Sequence, residues 1–226
     1  MKLVIFDLDQ TLVDFLPLHD QATQKLFRRF FGVDGRLTEL DFAGKSLTEN
    51  FAELARLKNV PEESFKHNSR RLLKAYEGIV SRSIPEDASR HVLPGARRLL
   101  DKLSRTDNLI VLYTGDSPGI VKRVTQTTGL GKYFRFFFSG TELPTRADMV
   151  GQAIRKAEKL AGKRFAGKDV VIIGDSIRDI DSGKQFNALT IAVATGLHSE
   201  QELLSHNPDY LFKSLEDDDA VLKAIG

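Results

Sequence analysis

The sequence predicts an α/β fold: a doubly wound parallel sheet with an inserted α-helical domain. Three observations lead there. Short apolar runs rich in β-branched residues recur along the chain, each ending in Asp, Gly or Thr. Helical patterns alternate with them, as βαβ units require. The stretch from 15 to 92 breaks this rhythm and shows helical periodicity without a convincing strand.

The elements follow in order. The first strand is Leu3–Phe6, stopped by Asp7. A run so short, cut by a carboxylate, is no secretory h-region. Amphipathic patterns then cover Gln21–Phe31, Leu47–Leu57 and Ser64–Ile84. Pro94-Gly95 precedes a helix over Ala96–Leu103, and Leu109–Tyr113 reads as the next strand. Ser117-Pro118 opens a helix over Ile120–Thr128, because proline is tolerated in a first turn. Phe134–Phe138 is a further candidate strand, its phenylalanines expected in the core. Met149–Leu160 and Ile177–Phe186 read as helices, Val170–Ile173 and Thr190–Val193 as strands. Residues 1–14 and 93–226 are thus expected to form the α/β core, and 15–92 the helical insert.

Composition narrows the function. The 226 residues are 41% hydrophobic and 28% charged, which suits an ordinary globular chain. Lys and Arg total 33 against 31 Asp and Glu, a net charge of +2. That balance offers no broad basic footprint, so neither nucleic acid nor a membrane surface is an expected partner. No apolar stretch approaches the roughly 18 residues of a membrane span. There is no cysteine, which excludes disulfides, thiolate metal sites and a cysteine nucleophile. A cytoplasmic enzyme or binding protein is the expectation. No G-x-S-x-G elbow supports a serine hydrolase. Gly162–Lys168 spells GxxxxGK but precedes a strand and lacks the following Ser or Thr, so it is not read as a phosphate loop. The five histidines show no metal-ligand spacing and are read as surface or loop residues.

Ligands of open α/β sheets bind at the carboxyl ends of strands. Asp7-Leu8-Asp9-Gln10-Thr11 follows the first strand, Thr114-Gly115-Asp116 the second, and Gly174-Asp175-Ser176-Ile177-Arg178-Asp179 the Val170–Ile173 strand. Gathering Asp7, Asp9 and Asp175 in one crevice sets carboxylates against each other. A hard divalent cation such as Mg²⁺ removes the conflict and also neutralises a bound phosphate. The Thr114 hydroxyl and the Gly115 amide can both donate to phosphate oxygens. This is chemistry suited to phosphoryl transfer, where positioning and charge neutralisation dominate. Two acids one residue apart suit divided labour, one attacking phosphorus and the other moving a proton.

Asp7-x-Asp9-x-Thr11, Thr114-Gly115 and Gly174-Asp175-(x)3-Asp179 resemble three motifs of the haloacid dehalogenase-like hydrolases. Leu93-Pro-Gly-Ala96, the run Val171–Lys184 and Thr190–Gly196 are similar to the phosphoglycolate phosphatase-like branch. The resemblance implies that Asp7 is the nucleophile and a Mg²⁺ ligand. It implies that Asp9 is the general acid and base, with its backbone carbonyl on the metal. Asp175 resembles the second carboxylate ligand, Asp179 a supporting acid, and Thr114 and Gly115 the phosphate clamp. The third motif usually supplies a lysine at a helix start, and Arg146 stands in that place. The residue after Asp9 is Gln10, where glycine is commonest, and Gln10 is expected at the substrate mouth. Lys45, in the loop Gly44-Lys45-Ser46, resembles the turn of a helical cap that faces substrate. The implied function is a Mg²⁺-dependent phosphatase of a small phosphorylated metabolite. A sugar-phosphate phosphomutase and a phosphoacceptor signalling domain are the alternatives. Neither the substrate nor the oligomeric state is legible.

Overall fold

The computed structural model describes residues 1–141, 143 and 145–226. Among them run six strands: β1 (Leu3–Phe6), β2 (Leu109–Thr114), β3 (Phe137–Ser139), β4 (Val170–Gly174), β5 (Leu189–Val193) and β6 (Tyr210–Phe212). All pair in parallel, in the order β3-β2-β1-β4-β5-β6. The chain thus builds outward from β1 to β3, then crosses back to lay β4 on the other side of β1. That reversal opens a crevice at the carboxyl ends of β1 and β4, the usual ligand position in such sheets.

Helices cover both faces of the sheet, which is why β1 and β4 are buried end to end and read as unbroken apolar runs. Val4 and Phe6 pack into the core that holds α4 (Ala96–Leu103) and α5 (Pro118–Thr127). Leu3 and Ile5, on the opposite face, pack with Met149, Val150 and Ala153 of α6 (Arg146–Ala161). α7 (Ile177–Lys184) links β4 to β5, and α8 (Glu200–Ser205) and α9 (Asp218–Ile225) close the chain.

Between β1 and α4 lie α1 (Leu16–Phe31), α2 (Leu47–Leu57) and α3 (Glu62–Ser83). Their inward residues Leu26, Phe27, Phe51, Leu54, Leu72 and Tyr76 are buried and continuous with the core under β1. Phe51 meets Phe27 and Tyr76 edge to face, with centroids 5.8 and 5.0 Å apart. Each such pair adds roughly 0.5–1.5 kcal/mol beyond burial. Ser46 caps α2 reciprocally with Glu49: its hydroxyl accepts from the Glu49 amide (3.2 Å), and Glu49 accepts from the Ser46 amide (2.8 Å).

Several boundaries differ from the sequence reading. α1 begins at Leu16 rather than Gln21, because Pro17 is accepted in its first turn and Asp14 takes the Leu16 amide (3.1 Å). The strand expected at Phe134–Phe138 is β3 at Phe137–Ser139, since Phe134 closes a turn on Gly131. β6, α8 and α9 were not anticipated. No helix among the described residues is long and apolar enough to cross a membrane.

Candidate active site

β1 and β4 end side by side, and the Asp7 amide donates to the Ile173 carbonyl (2.9 Å). This pairing sets Asp7 next to Asp175, and the first turn of α7 brings Asp179 to the same place. Oxygens of the three carboxylates lie within 4.8 Å of one another, and all three residues are buried. Asp179 is fully engaged by protein donors. Its Oδ2 accepts from the Ser176 amide (3.0 Å) and hydroxyl (2.6 Å), and its Oδ1 from Tyr113 (2.6 Å). Asp175 Oδ1 accepts from the Thr11 hydroxyl (3.0 Å).

Arg146, the first residue of α6, is 8% exposed. Its Nη1 donates to Asp7 Oδ1 (2.6 Å) and lies 3.4 Å from Asp179 Oδ1. Its Nε donates to the Gly44 carbonyl (3.1 Å), and the guanidinium stacks 4.5 Å from the Tyr113 ring centre. A cation at a helix N-terminus opposes the helix dipole. Here the carboxylates of Asp7 and Asp179 more than offset that.

Burial raises Asp7 above the usual carboxylate range, with Arg146 pulling it down and Asp179 pushing it up. Asp175 is raised by burial and by the charges of Asp7 and Asp179. Burial disfavours the Arg146 cation, but Asp7 and Asp179 outweigh it and raise its pKa. Three buried carboxylates facing one guanidinium leave excess negative charge. An all-oxygen donor set of that charge fits a hard divalent cation.

Asp9 turns the other way. His19 Nε2, from α1, lies 3.7 Å from Asp9 Oδ1 and 3.8 Å from Asp116 Oδ2. His19 Nδ1 is 2.7 Å from the Tyr76 hydroxyl of α3. The three facing atoms, Asp9 Oδ1, Asp116 Oδ2 and His19 Nε2, are buried without a hydrogen-bond partner. Burial lowers the His19 pKa against the pull of Asp9. Burial, then the charge of Asp116, holds Asp9 well above the carboxylate range. Burial pushes Asp116 up to about 7.

The loop after β2 meets the insert backbone to backbone. Leu47 donates its amide to the Gly115 carbonyl (3.2 Å). A Cβ on Gly115 would stand 2.2 Å from the Lys45 carbonyl oxygen, so only glycine allows this approach. Gly44, at φ 73°, is also tight: a Cβ there would stand 2.6 Å from the Ser176 hydroxyl oxygen. The cavity between them has a volume of about 80 Å³, opens to the surface, and is lined by residues of both the sheet rim and the insert.

The model of the haloacid dehalogenase-like hydrolases matches residues 1–187. The chain belongs to this hydrolase family. It is 24% identical over 217 residues to a phosphoglycolate phosphatase of Synechococcus elongatus, covering 96% of this chain and 95% of that one. It is 25% identical over 222 residues to the pyrophosphatase PpaX of Listeria monocytogenes, covering 95% and 93%. A β-phosphoglucomutase from Clostridium difficile superposes with a TM-score of 0.81 at 18% identity, over 100% of this chain and 97% of that one. That likeness speaks for the fold.

In this haloacid dehalogenase-like hydrolase, Asp7, Asp9, Gln10, Lys45, Thr114, Gly115, Arg146 and Asp175 all line the one cavity. Asp179 lies outside that lining, bound to Ser176 and Tyr113. Gln10 sits at φ 62°, a left-handed conformation that favours glycine, and its side chain donates to Asp14 (2.7 Å). The Lys45 ammonium pairs with Glu53. Thr114 Oγ1 accepts from the Asp116 amide (3.2 Å). The carboxylate of Asp9 is grouped with His19 and Asp116 rather than with Asp7 and Asp175.

His19 corrects the reading of the histidines: it is a buried wall of the site, not a surface or loop residue. Asp116, Tyr76 and Asn50 also line the cavity, and the sequence reading gave them no role. One signal bears on His19. The helix after the first motif starts within a few residues of it, so its first turn must lie over the rim.

Proposed function

We propose that the chain is a Mg²⁺-dependent phosphatase of a small phosphorylated metabolite, working through an aspartyl-phosphate on Asp7. The observation that carries this reading is the division of the motif acids. Asp7 lies against Arg146 and Asp175, while the carboxylate of Asp9, two residues on, is turned toward His19 and Asp116 in the same cavity, where burial and the Asp116 charge raise its pKa. Environments that separate two acids in this way assign nucleophile and acid.

An Asp7 carboxylate oxygen attacks phosphorus as the bond to the leaving oxygen breaks, and Asp9 gives that oxygen its proton. Asp9, now ionised, takes a proton from a water whose oxygen attacks the aspartyl-phosphate, breaking the bond to Asp7 and freeing inorganic phosphate. The Thr114 hydroxyl, the Gly115 amide and the Arg146 guanidinium hold the phosphoryl oxygens. Asp7 and Asp175 with the Asp9 carbonyl would hold Mg²⁺, with Asp179 supporting them. When bound, the ion neutralises charge on the transferring group. The helical segment 15–92 acts as a cap that excludes bulk water and shapes the leaving-group pocket. Gln10 and Lys45 border that pocket. A cytoplasmic site of action suits a cysteine-free chain of this chemistry.

Release of inorganic phosphate from a panel of phosphate monoesters, with Mg²⁺ and with EDTA, tests the reading. Turnover that needs Mg²⁺ and is lost in Asp7→Asn is the expected result. Turnover unaffected by EDTA, or retained in Asp7→Asn, overturns it.

A further inference from the structure

Residues 41–47 of the cap form a strap against the core, and Phe42, Ala43, Gly44, Lys45 and Leu47 of it line the cavity. Three core residues grip this strap. Arg146 Nε donates to the Gly44 carbonyl (3.1 Å), and the Gly115 carbonyl accepts from the Leu47 amide (3.2 Å). The third grip comes from Arg178, in the first turn of α7. Its Nη2 donates to Asp41 Oδ2 (2.7 Å), and its Nη1 to Asp41 Oδ1 (3.2 Å) and to the Ala43 carbonyl (2.7 Å). His198 Nε2, from the loop after β5, lies 3.3 Å from the same Asp41 Oδ1.

A cation in the first turn of a helix opposes the helix dipole, so Arg178 is well placed there only with an anion against it, and Asp41 is that anion. The Asp41 side chain is 47% exposed, and a pair so open to water contributes little by charge alone. The forked, two-oxygen geometry and the added bond to a backbone carbonyl give the contact its direction. Packing reinforces it: a Cβ on Gly44 would stand 2.8 Å from the Arg178 Cβ. Arg146 and Gly115 belong to the phosphate end as well as to the strap. Arg178 does not line the cavity, and its side-chain hydrogen bonds go to Asp41 and Ala43. Taking the cavity as the phosphatase site proposed above, we infer that Arg178 is a positioning residue for substrate binding, which holds the strap, and with it the leaving-group wall, in place from outside the cavity. The wall touches the leaving group before and during the reaction alike, so its displacement is read in KM rather than in kcat.

Steady-state phosphate release by the full chain with Mg²⁺ tests this, on glycerol 3-phosphate and p-nitrophenyl phosphate, with inorganic phosphate as the competing ligand. Inorganic phosphate has no leaving group and so does not need the wall. Arg178→Ala should raise KM for both esters roughly tenfold while kcat and the inhibition constant of phosphate each stay within about twofold. Asp41→Ala should move KM in the same direction, and the double variant should be no worse than Arg178→Ala, as expected of partners in one contact. An unchanged KM in Arg178→Ala, an inhibition constant of phosphate that rises in step with KM, or losses that multiply in the double variant overturns the inference while leaving the phosphatase reading intact. Absence of turnover by the unaltered chain on every ester overturns the phosphatase reading instead. The strap is then judged by amide exchange at Leu47, whose N–H donates to Gly115. Arg178→Ala should speed that exchange, and an unchanged rate overturns the inference.

Discussion

Arg146 ties Asp7 to the cap: one nitrogen of its guanidinium lies 2.6 Å from Asp7 Oδ1, and another lies 3.1 Å from the Gly44 carbonyl. A lysine ammonium carries its donors on a single nitrogen and has no planar fork to span the two. Arg146→Ala strands the carboxylates of Asp7 and Asp179 in a buried site. It should destabilise the chain by roughly 3–5 kcal/mol and lower kcat/KM by roughly 10²–10³-fold. Arg146→Lys keeps the charge but gives up the second anchor, so it should fall between alanine and wild type on both measures. Thermal melts and phosphate-release kinetics of the two variants check this. A lysine variant equal to wild type would remove the role of the Gly44 contact.

Asp9 gives a prediction that depends on the leaving group. Asp9→Asn removes the proton donor that a poor leaving oxygen needs, which should lower kcat on alkyl phosphates by roughly 10²–10⁴-fold. p-Nitrophenolate leaves without a proton. The first step on that ester should therefore survive, visible as a burst of nitrophenol in stopped-flow absorbance followed by slow turnover. Equal losses on both kinds of ester would take the acid role from Asp9.

The acids of the site set a dependence of stability on pH. Between the ordinary carboxylate pKa of 3.8 and about 7, folded Asp116 keeps a proton that the unfolded chain has released. Asp7 and Asp175 are shifted in the same direction. Folding then takes up protons, so stability is greatest below the unfolded pKa and falls as pH rises through the folded one. In EDTA the Tm should be lower at about pH 7.5 than at about pH 5.5, each kcal/mol shifting it by roughly 2–4 °C at this chain length. Mg²⁺ should raise Tm more at the higher pH, where the carboxylates are free to hold it. Scanning calorimetry at the two pH values checks the sign. A Tm that rises with pH in EDTA would contradict it.

Gly115 is the tightest point between cap and core. Gly115→Ala drives a methyl to within 2.2 Å of the Lys45 carbonyl, a backbone atom that cannot swing aside. Overpacking of this kind costs roughly 1–3 kcal/mol. The cap should sit off the rim, raising KM and lowering kcat together, with faster amide exchange at Leu47, whose N–H donates to Gly115. Unchanged exchange at Leu47 and unchanged kinetics would show that the contact is dispensable.

How much of this was legible depended on where each residue lies in the chain. Asp7, Thr114 and Asp175 each come at the end of a buried apolar strand, so one strand pattern finds the motif and its place together. Arg146 was reached only through the resemblance to the family's third motif, because the apolar periodicity of that helix starts at Met149, three residues after the helix itself begins. His19, Asn50 and Tyr76 come from α1, α2 and α3, and their convergence depends on how those helices pack over the rim. No local periodicity encodes that packing, so a polar residue on an apolar helix face reads as an ordinary surface or core substitution. β6 is a half-exposed three-residue edge strand and α8 a six-residue helix, both too short to build a periodic signal. Phe134–Phe138 misled by composition: its phenylalanines look like a strand throughout, yet the start is spent closing the turn on Gly131.

The central claim is that Asp7 itself carries the phosphoryl group. The direct measurement is acid quenching of the Mg²⁺-loaded chain in the first turnover of a phosphate monoester, followed by peptide mass spectrometry. A phosphorylated Asp7 that forms, decays at the turnover rate and vanishes in Asp7→Asn is the predicted result. Full turnover with no phosphate ever found on Asp7, and undiminished in Asp7→Asn, would contradict the account.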